Sequence, residues 1–175
     1  MTSMTLPIPV VETERLILRG ALETDFEAHA AFMASERSSF VGGPQDRFEA
    51  GRGFAASVGH WVLKGFGVWT IADKATNTPL GKTGFIYAEG WDEPELGWHV
   101  YEAAEGKGIA LEAVTAARAN GPKHFGLDGV ISYIDPANTR SMALAERLGA
   151  RFERDSELLG KPCQVWRHPK QGEAA

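Results

Sequence analysis

The most informative part of the chain reads Glu95-Leu96-Gly97-Trp98-His99-Val100 and, after a short gap, Glu105-Gly106-Lys107-Gly108-Ile109-Ala110. The first run predicts a strand, and the second predicts the start of a helix behind two glycines. The N-terminus of a helix carries N–H groups without partners and the positive end of the helix dipole, so it attracts anions. Glycine lets the backbone approach a ligand closely, and Lys107 adds a cation. The sequence therefore predicts a phosphate-binding type of anion site around Gly106, Lys107 and Gly108.

Two other phosphate-binding motifs do not fit the chain. A dinucleotide fingerprint needs a third glycine three residues after Gly108, where Leu111 stands. A P-loop at Gly81-Lys82-Thr83 needs a glycine five residues before it, where Thr76 stands, and a helix after it. The residues that follow, Gly84-Phe85-Ile86, predict a strand instead.

The flanking segments predict a mixed fold. Period-two patterns predict strands at 15–19, 68–71, 80–88, 95–101, 130–134, from 152 onward and at 164–167, and helical spacing predicts helices at 23–35, 48–63, from 105 onward and 138–148. Asn120-Gly121-Pro122 predicts a stop or kink in the third helix, because proline lacks an N–H donor. Hairpin strands followed by strand–helix–strand alternation predict an α/β (mixed α+β) fold with a central mixed, mostly antiparallel twisted sheet and helices on both faces.

Length and composition restrict the function classes. A chain of 175 residues is expected to form a single domain over residues 1–175. Its formal net charge of -5 argues against a nucleic-acid partner, because phosphate contacts need clustered cations. No apolar run is long enough to span a membrane, and segment 1–11 lacks the charged region of a signal peptide. The lone Cys163 excludes an internal disulfide, and the five histidines show no metal-ligand spacing, so we expect a cytoplasmic protein without a metal site.

Four motifs, taken together, resemble one family. They read Thr13-Glu14-Arg15-Leu16-Ile17-Leu18-Arg19, Glu95-Leu96-Gly97-Trp98, Asp135-Pro136-Ala137-Asn138-Thr139-Arg140-Ser141 and Leu148-Gly149-Ala150. In this order and spacing the chain, from Thr13 to Phe152, resembles the GNAT superfamily of acyl-CoA-dependent N-acyltransferases, and within it the RimJ/RimL-type branch that acetylates ribosomal proteins. The resemblance implies the GNAT fold, acetyl-CoA as cosubstrate and an amine as acceptor.

The resemblance also implies which residues bind acetyl-CoA. They are Val100, Glu105, Gly106, Lys107, Gly108, Ile109, Ala110, Asn138 and Ser141. Glu105 stands where the family's pyrophosphate loop has Gln or Arg, and a carboxylate repels pyrophosphate unless it points away. Val100 corresponds to the position whose backbone N–H holds the thioester carbonyl, which is an oxyanion-type contact. Asn138 corresponds to the residue that reaches the pantetheine arm, and it also fits a helix N-cap.

Proton transfer is assigned to Glu95, His99 and Ser141. On an alternating strand, Glu95, Gly97 and His99 share the face beside the expected acyl position. Glu95, through a raised pKa or a water relay, is favoured as the general base; His99, which titrates in the useful range, and loss of the proton to solvent are the alternatives. Many GNAT enzymes place a tyrosine that protonates the leaving thiolate where this chain has Ala145, so Ser141, a water or solvent would supply that proton.

The expected function is acetyl transfer from acetyl-CoA to a primary amine by direct attack, because no Cys or Ser nucleophile with an adjacent base is evident. The acceptor is a protein N-terminus or a small amine, and its recognition is expected in residues 35–63. The alternative is a catalytically weak acyl-CoA-binding sensor or interaction module on the same fold, which Glu105 and Ala145 favour. The sequence does not determine the oligomeric state; a homodimer is the candidate assembly, because homodimers are the commonest soluble oligomers.

Overall fold

The computed structural model describes residues 6–173. Residues 1–5, which belong to the segment where no signal peptide is expected, and residues 174–175 of the expected single domain lie outside the described residues. Within residues 6–173, no helix has the length and apolar character needed to cross a membrane.

The described chain contains eight strands and four α-helices. The strands are Val11–Glu12 (β1), Leu16–Arg19 (β2), Val68–Asp73 (β3), Pro79–Ile86 (β4), Glu95–Val100 (β5), Ile131–Ile134 (β6), Arg151–Leu158 (β7) and Lys161–Arg167 (β8). The α-helices are Phe26–Met33 (α1), Arg47–Lys64 (α2), Ile109–Phe125 (α3) and Thr139–Arg147 (α4). Short 3₁₀ turns at Glu23–Asp25, Glu36–Val41 and Glu102–Ala104 connect them.

All eight strands form one sheet in the order β1-β2-β3-β4-β5-β6-β8-β7. Neighbouring strands are antiparallel except β5 and β6, which are parallel with Glu95 opposite Ile131. Ser132 adds a side-chain contact at this junction, since its hydroxyl donates to the Leu96 carbonyl at 2.6 Å. The predicted mixed, mostly antiparallel sheet is therefore confirmed.

One face of the sheet packs against α3. Leu16, Leu18, Trp69, Ile71, Phe85 and Leu96 are fully buried there. Small residues of α3 let the helix lie close to the strands, because Ala113 and Ala117 are fully buried and a Cβ on Gly121 would come within 2.6 Å of Phe85. This face holds most of the apolar core.

The opposite face is covered by α1 and α2. Phe32 and Met33 of α1 pack with Ala50 of α2 and with Tyr101, which follows β5. Helices thus lie on both faces, as the sequence predicts.

The structure departs from the predicted elements at three places. The short strand β1 was not predicted, and the first helix begins at Phe26 because Glu23–Asp25 forms a 3₁₀ turn. Of the stop or kink predicted at Asn120-Gly121-Pro122, the stop is wrong, because α3 continues to Phe125. Phe125 holds the last turn of α3, since the centroid of its ring lies 5.7 Å from the ring centroids of Trp61 and Trp69. This packing outweighs the one hydrogen bond that proline cannot donate.

Candidate active site

Two cavities meet beside β5. The first, of about 540 Å³, lies between the end of β5 and the first turns of α3 and α4. The second, of about 490 Å³, lies on the sheet face beneath α1 and α2 and is lined by Glu95, Gly97 and His99. Trp98, His99 and residues 39–41 line both cavities, so a ligand in one can reach a ligand in the other.

The glycine loop before α3 has the geometry of an anion site. Gly106 and Gly108 have φ angles of +69° and +75°, which L side chains rarely adopt. A Cβ on Gly106 would meet nothing within 4 Å, so backbone conformation rather than crowding requires glycine there. The first bond of the helix is donated by the Glu112 amide to the Gly108 carbonyl at 3.1 Å, which leaves the amides before it without a partner in the helix. Such a set of N–H donors fits the pyrophosphate of CoA.

Of the loop residues, Glu105, Gly106, Gly108, Ile109 and Ala110 line the first cavity. Lys107 differs from the sequence-based expectation, because its ammonium donates to the Ala103 carbonyl at 2.7 Å instead of adding a cation to the cavity. The sequence alone does not show whether the Lys107 ammonium faces a ligand or binds a nearby backbone carbonyl.

Arginines supply the positive charge at this site. Arg37 and Arg140 both pair with the Glu105 carboxylate, the second at 3.0 Å, and Arg147 also lines the first cavity. Glu105, the departure from the family pattern, is therefore neutralised by two cations. Sequence reasoning missed all three arginines, although Arg140 lies inside a motif that it used.

Val100 lies at the end of β5 and lines the first cavity. The amide of Tyr101 donates to the Leu80 carbonyl of the adjacent chain segment at 2.8 Å. Because successive N–H groups of a strand point to opposite sides, the Val100 N–H points away from β4 and toward the gap between β5 and β6.

The start of α4 borders the same cavity. The Asn138 side-chain oxygen accepts a hydrogen bond from the Ser141 amide at 3.2 Å, so Asn138 is the N-cap of α4. Asn138 and Ser141 also line the first cavity. Ala145, one turn further along, is fully buried in a cluster with Ile134 and Trp166.

Glu95 is a buried carboxylate that lines the second cavity. One oxygen accepts from the Trp91 indole N–H at 2.6 Å, and the other from the Tyr133 amide at 3.4 Å. Burial raises the pKa of Glu95 to about 7, and these two hydrogen bonds only partly oppose the effect of burial. The carboxyl group can therefore take up and release a proton near neutral pH.

His99 is a half-buried imidazole whose Nε2 atom is fully buried, and it is neutral at physiological pH. Its ring stacks on Phe32 with centroids 4.6 Å apart and planes 4° from parallel. Burial, with a smaller effect from the charge of Lys82 and from His29, lowers the pKa of His99 to about 3. The sequence placed Glu95 and His99 on one strand face, but the opposite directions of their pKa shifts come from the tertiary surroundings.

A family model and several solved structures similar to this chain carry the name acetyltransferase. A model of the acetyltransferase (GNAT) domain matches residues 15–151. The crystal structure of an acetyltransferase from Agrobacterium tumefaciens str. C58 is 34% identical, with a TM-score of 0.87 over 97% of this chain and 99% of that chain. RimL, a ribosomal L7/L12 alpha-N-protein acetyltransferase solved in complex with coenzyme A, shares the fold at 17% identity, with a TM-score of 0.73 over 91% of this chain and 96% of that chain.

A further relative matches a shorter part of the chain. YkkB of Bacillus subtilis (strain 168) is 30% identical over 107 residues, which are 59% of this chain and 62% of that protein. The chain thus matches about three fifths of the length of this relative. Since the domain model matches most of the residues, from Arg15 to Arg151, the chain belongs to the GNAT acetyltransferase family.

Proposed function

We propose that this chain is an acetyl-CoA-dependent N-acetyltransferase of the RimJ/RimL-type branch, which transfers an acetyl group to a primary amine by direct attack. The observation that carries the proposal is the meeting of two cavities at Trp98 and His99. One cavity has the amide donors that suit pyrophosphate, and the other has a buried carboxylate suited to proton transfer. The Agrobacterium acetyltransferase, similar over nearly all of both chains, supports the same reading.

In this proposal the first cavity binds acetyl-CoA, which supplies the acetyl thioester. The amides of residues 106–110 hold the pyrophosphate, with Arg37 and Arg140 adding positive charge. The Val100 N–H donates to the thioester carbonyl oxygen, where negative charge grows as the amine attacks. Asn138 and Ser141 lie along the pantetheine arm.

Glu95 is the general base of the proposed reaction. With a pKa raised to about 7 by burial, it accepts the proton of the acceptor ammonium through a water molecule at physiological pH. His99, whose pKa burial lowers to about 3, is too weak a base for this step and instead forms part of the cavity wall. Ser141 donates toward the departing thiolate, because the buried Ala145 carries no acid.

The proposal extends to partners and location. We propose a single domain that acts as a homodimer in the cytoplasm without a nucleic-acid partner. The frequency of homodimers among soluble oligomers, the single cysteine and the net charge of -5 support these points.

Measurement of CoA release across a panel of amines and N-terminal peptides tests the proposed activity. We expect at least one amine to accelerate CoA release in the wild type, and Glu95→Gln to lower that rate on the order of a hundredfold at neutral pH, since general bases contribute about 10²–10⁴-fold. Tight acetyl-CoA binding without release in the presence of any amine would instead favour the sensor or interaction module, the alternative that Glu105 and Ala145 had favoured.

A further inference from the structure

Lys82 occupies an unusual place in the sheet. It lies in the middle of β4, opposite Thr70 on β3 and His99 on β5. The three residues form a polar row across the face that α1 and α2 cover. Lys82 is 5% exposed and lines the second cavity. A lysine is almost never buried to this extent unless a partner neutralises it.

The described part of the chain provides Lys82 with no carboxylate partner. In residues 6–173, no carboxylate oxygen lies within 4.0 Å of the Lys82 ammonium. Its recorded contacts are a long hydrogen bond of 3.4 Å to the Ser57 hydroxyl and the Phe54 ring, whose centroid lies 4.6 Å away. An ammonium has three donors, so at least one N–H remains for a ligand.

The buried carboxylate that acts on Lys82 through space, Asp25, is already occupied. Asp25 accepts two hydrogen bonds from Arg19, at 2.8 and 3.0 Å, one from the Leu22 amide at 2.9 Å and one from the Thr70 hydroxyl at 3.2 Å. Asp25 attracts Lys82 through space, but its lone pairs are used by these donors.

Two further polar atoms beside Lys82 lack partners. The Nδ1 atom of His29 and the Nε2 atom of His99 are buried and form no hydrogen bond with any residue in 6–173. Both histidines line the second cavity together with Lys82. Buried polar atoms are satisfied in most native structures, so these two atoms, beside a lysine without a carboxylate partner, indicate a ligand that satisfies them.

The charge of this cluster is positive at neutral pH. Burial lowers the pKa of Lys82 to about 8, which still leaves the amine mostly protonated. Burial also lowers the pKa of His29 to about 4, so its ring is neutral and can offer an N–H donor without competing charge. A lone buried cation flanked by neutral rings favours an anionic group as its ligand.

We propose that Lys82, with His29 and His99, forms an anion-binding subsite of the second cavity, and that the acceptor is a small amine that also carries a carboxylate. This inference rests on the proposed function, since it places the acceptor in the second cavity. The carboxylate binds at Lys82 while the amine lies near Gly97, within reach of Glu95 through water. Gly97 and His99 are two residues apart on β5, roughly 7 Å. An α-amino acid has its amine and carboxylate about 3 Å apart, and a hydrogen bond of about 3 Å at each end covers the remaining distance.

The rest of the cavity indicates an apolar body for this acceptor. Phe40, Trp91 and Leu159 also line it. An apolar wall with a few placed polar groups is the usual form of a small-molecule site. Carboxylate binding at Lys82 and apolar contact elsewhere would together select the acceptor.

The anion subsite is tested first by binding, which needs no turnover. Carboxylates from propanoate to 3-phenylpropanoate, with their matched amides, are titrated into wild type, Lys82→Met and Lys74→Met by NMR or calorimetry. We expect wild type to bind a carboxylate at least about tenfold more tightly than its amide, since a charge-assisted hydrogen bond is lost in the amide. Lys82→Met should abolish this preference for the carboxylate. Lys74→Met is the control, because Lys74 is an exposed lysine beyond β3, and this variant should retain the preference.

Three results would overturn the subsite. They are equal affinity for carboxylates and amides in wild type, an unchanged preference in Lys82→Met, and loss of the preference in Lys161→Met with retention in Lys82→Met. The last result would move the anion to the exposed lysine that also lines this cavity. The melting temperature of Lys82→Met checks folding, and we expect it unchanged or raised, because a buried ammonium without a carboxylate partner is costly.

The substrate class is tested by turnover of phenylalanine, its amide and phenethylamine. We expect the amino acid to have the highest kcat/KM, by at least about tenfold, with the preference lost in Lys82→Met. Equal kcat/KM for the amino acid and its amide would overturn the assignment of a carboxylate-bearing acceptor, as would turnover confined to N-terminal peptides. If no amine is acetylated while the carboxylate preference in binding holds, the proposed activity fails and the anion subsite stands.

Discussion

Arg15 and Glu112 are 97 residues apart in the chain, yet the Arg15 Nε donates to the Glu112 carboxylate at 2.7 Å. The same arginine donates through Nη1 to the Lys107 carbonyl at 3.0 Å, and the Thr13 hydroxyl donates to Glu112 at 2.6 Å. Burial acts to raise the pKa of Glu112, but these hydrogen bonds and the charge of Arg15 outweigh it and hold that pKa below its ordinary value. The N-terminal motif thus fixes the glycine loop to the first turn of α3.

Loss of this anchor should weaken acetyl-CoA binding. We expect Arg15→Gln to raise the Kd for acetyl-CoA about twofold to tenfold in calorimetry, because the loop amides lose their fixed orientation while the pair itself is partly exposed. Arg47→Gln is the matched control, since Arg47 pairs with Glu27 on the exposed surface. An equal Kd in Arg15→Gln and wild type would show that the loop holds its shape without Arg15.

The glycine loop itself is tested by Gly108→Asp. The substitution forces a side chain into a left-handed conformation and adds a negative charge where pyrophosphate is expected to bind, so acetyl-CoA affinity should fall at least about tenfold. Gly126→Asp is a close control, because Gly126 ends the same helix with a φ of +68°. A Cβ there would meet nothing within 4 Å, and one on Gly108 would make only an ordinary contact with Arg15 Nη2 at 3.5 Å. Both variants should lose stability, but Gly126→Asp should retain acetyl-CoA affinity. Similar affinity in the two variants would remove the loop from the cofactor site.

The pH dependence of turnover distinguishes Glu95 from His99. The general base must be deprotonated, so kcat/KM for the acceptor should rise with pH and level off above about 7, the value to which burial raises the pKa of Glu95. Glu95→Gln should flatten this acidic limb and lower the rate, while His99→Gln should leave the limb in place. If His99→Gln alone erases the limb, the roles are reversed. If both variants retain it, the amine loses its proton to solvent.

Ser141→Ala tests the proposed proton donor to the thiolate. We expect turnover at saturating acetyl-CoA to fall about tenfold to a hundredfold, which is the lower range of acid–base contributions. Thr139→Ala is the control, because Thr139 lies exposed in the same turn of α4. Unchanged turnover in Ser141→Ala would leave the thiolate to a water molecule or solvent.

Acid should destabilise the fold through buried histidines. Burial lowers the pKa of His29 and of His168 to about 4 and that of His99 to about 3, from an ordinary value of 6.5. The unfolded chain therefore binds protons below pH 6.5 that the folded chain excludes, and stability present above that pH is lost as the pH falls toward 3–4. Glu95, with its raised pKa, acts in the opposite direction between about 4.5 and 7, but three histidines outweigh one carboxyl group.

We expect the melting temperature to fall by at least about 5 °C between neutral pH and pH 5, given about 2–4 °C per kcal/mol for a chain of this size. His168→Gln should reduce this fall, because His168 is buried against the Ser132 hydroxyl at 2.9 Å. His124→Gln, which changes an exposed histidine, should leave it as in wild type. A fall of the same size in His168→Gln would exclude His168 as a source of the acid sensitivity.

Local features of the chain were sufficient to predict the architecture. The alternation of β5 and the two glycines before α3 are local patterns, since period and backbone conformation depend on near neighbours in sequence. Hairpin strands with short connections pair with each other, so the mostly antiparallel sheet followed from the order of the elements. The motifs that resemble GNAT enzymes lie within single strands, loops or helix starts, and for that reason they were visible before the structure.

The electrostatics of the site depended on the tertiary structure. Arg37 and Arg140 neutralise Glu105, and no local pattern joins these positions. Lys82, which has no carboxylate partner in residues 6–173, became visible as a buried cation only when β4 was placed between β3 and β5 beneath two helices. Glu95 and His99 are four residues apart on one strand, yet their pKa values shift in opposite directions because burial disfavours the charged form of each, an anion in one case and a cation in the other. Burial and charge contacts join residues distant in sequence, so these properties belong to the folded chain.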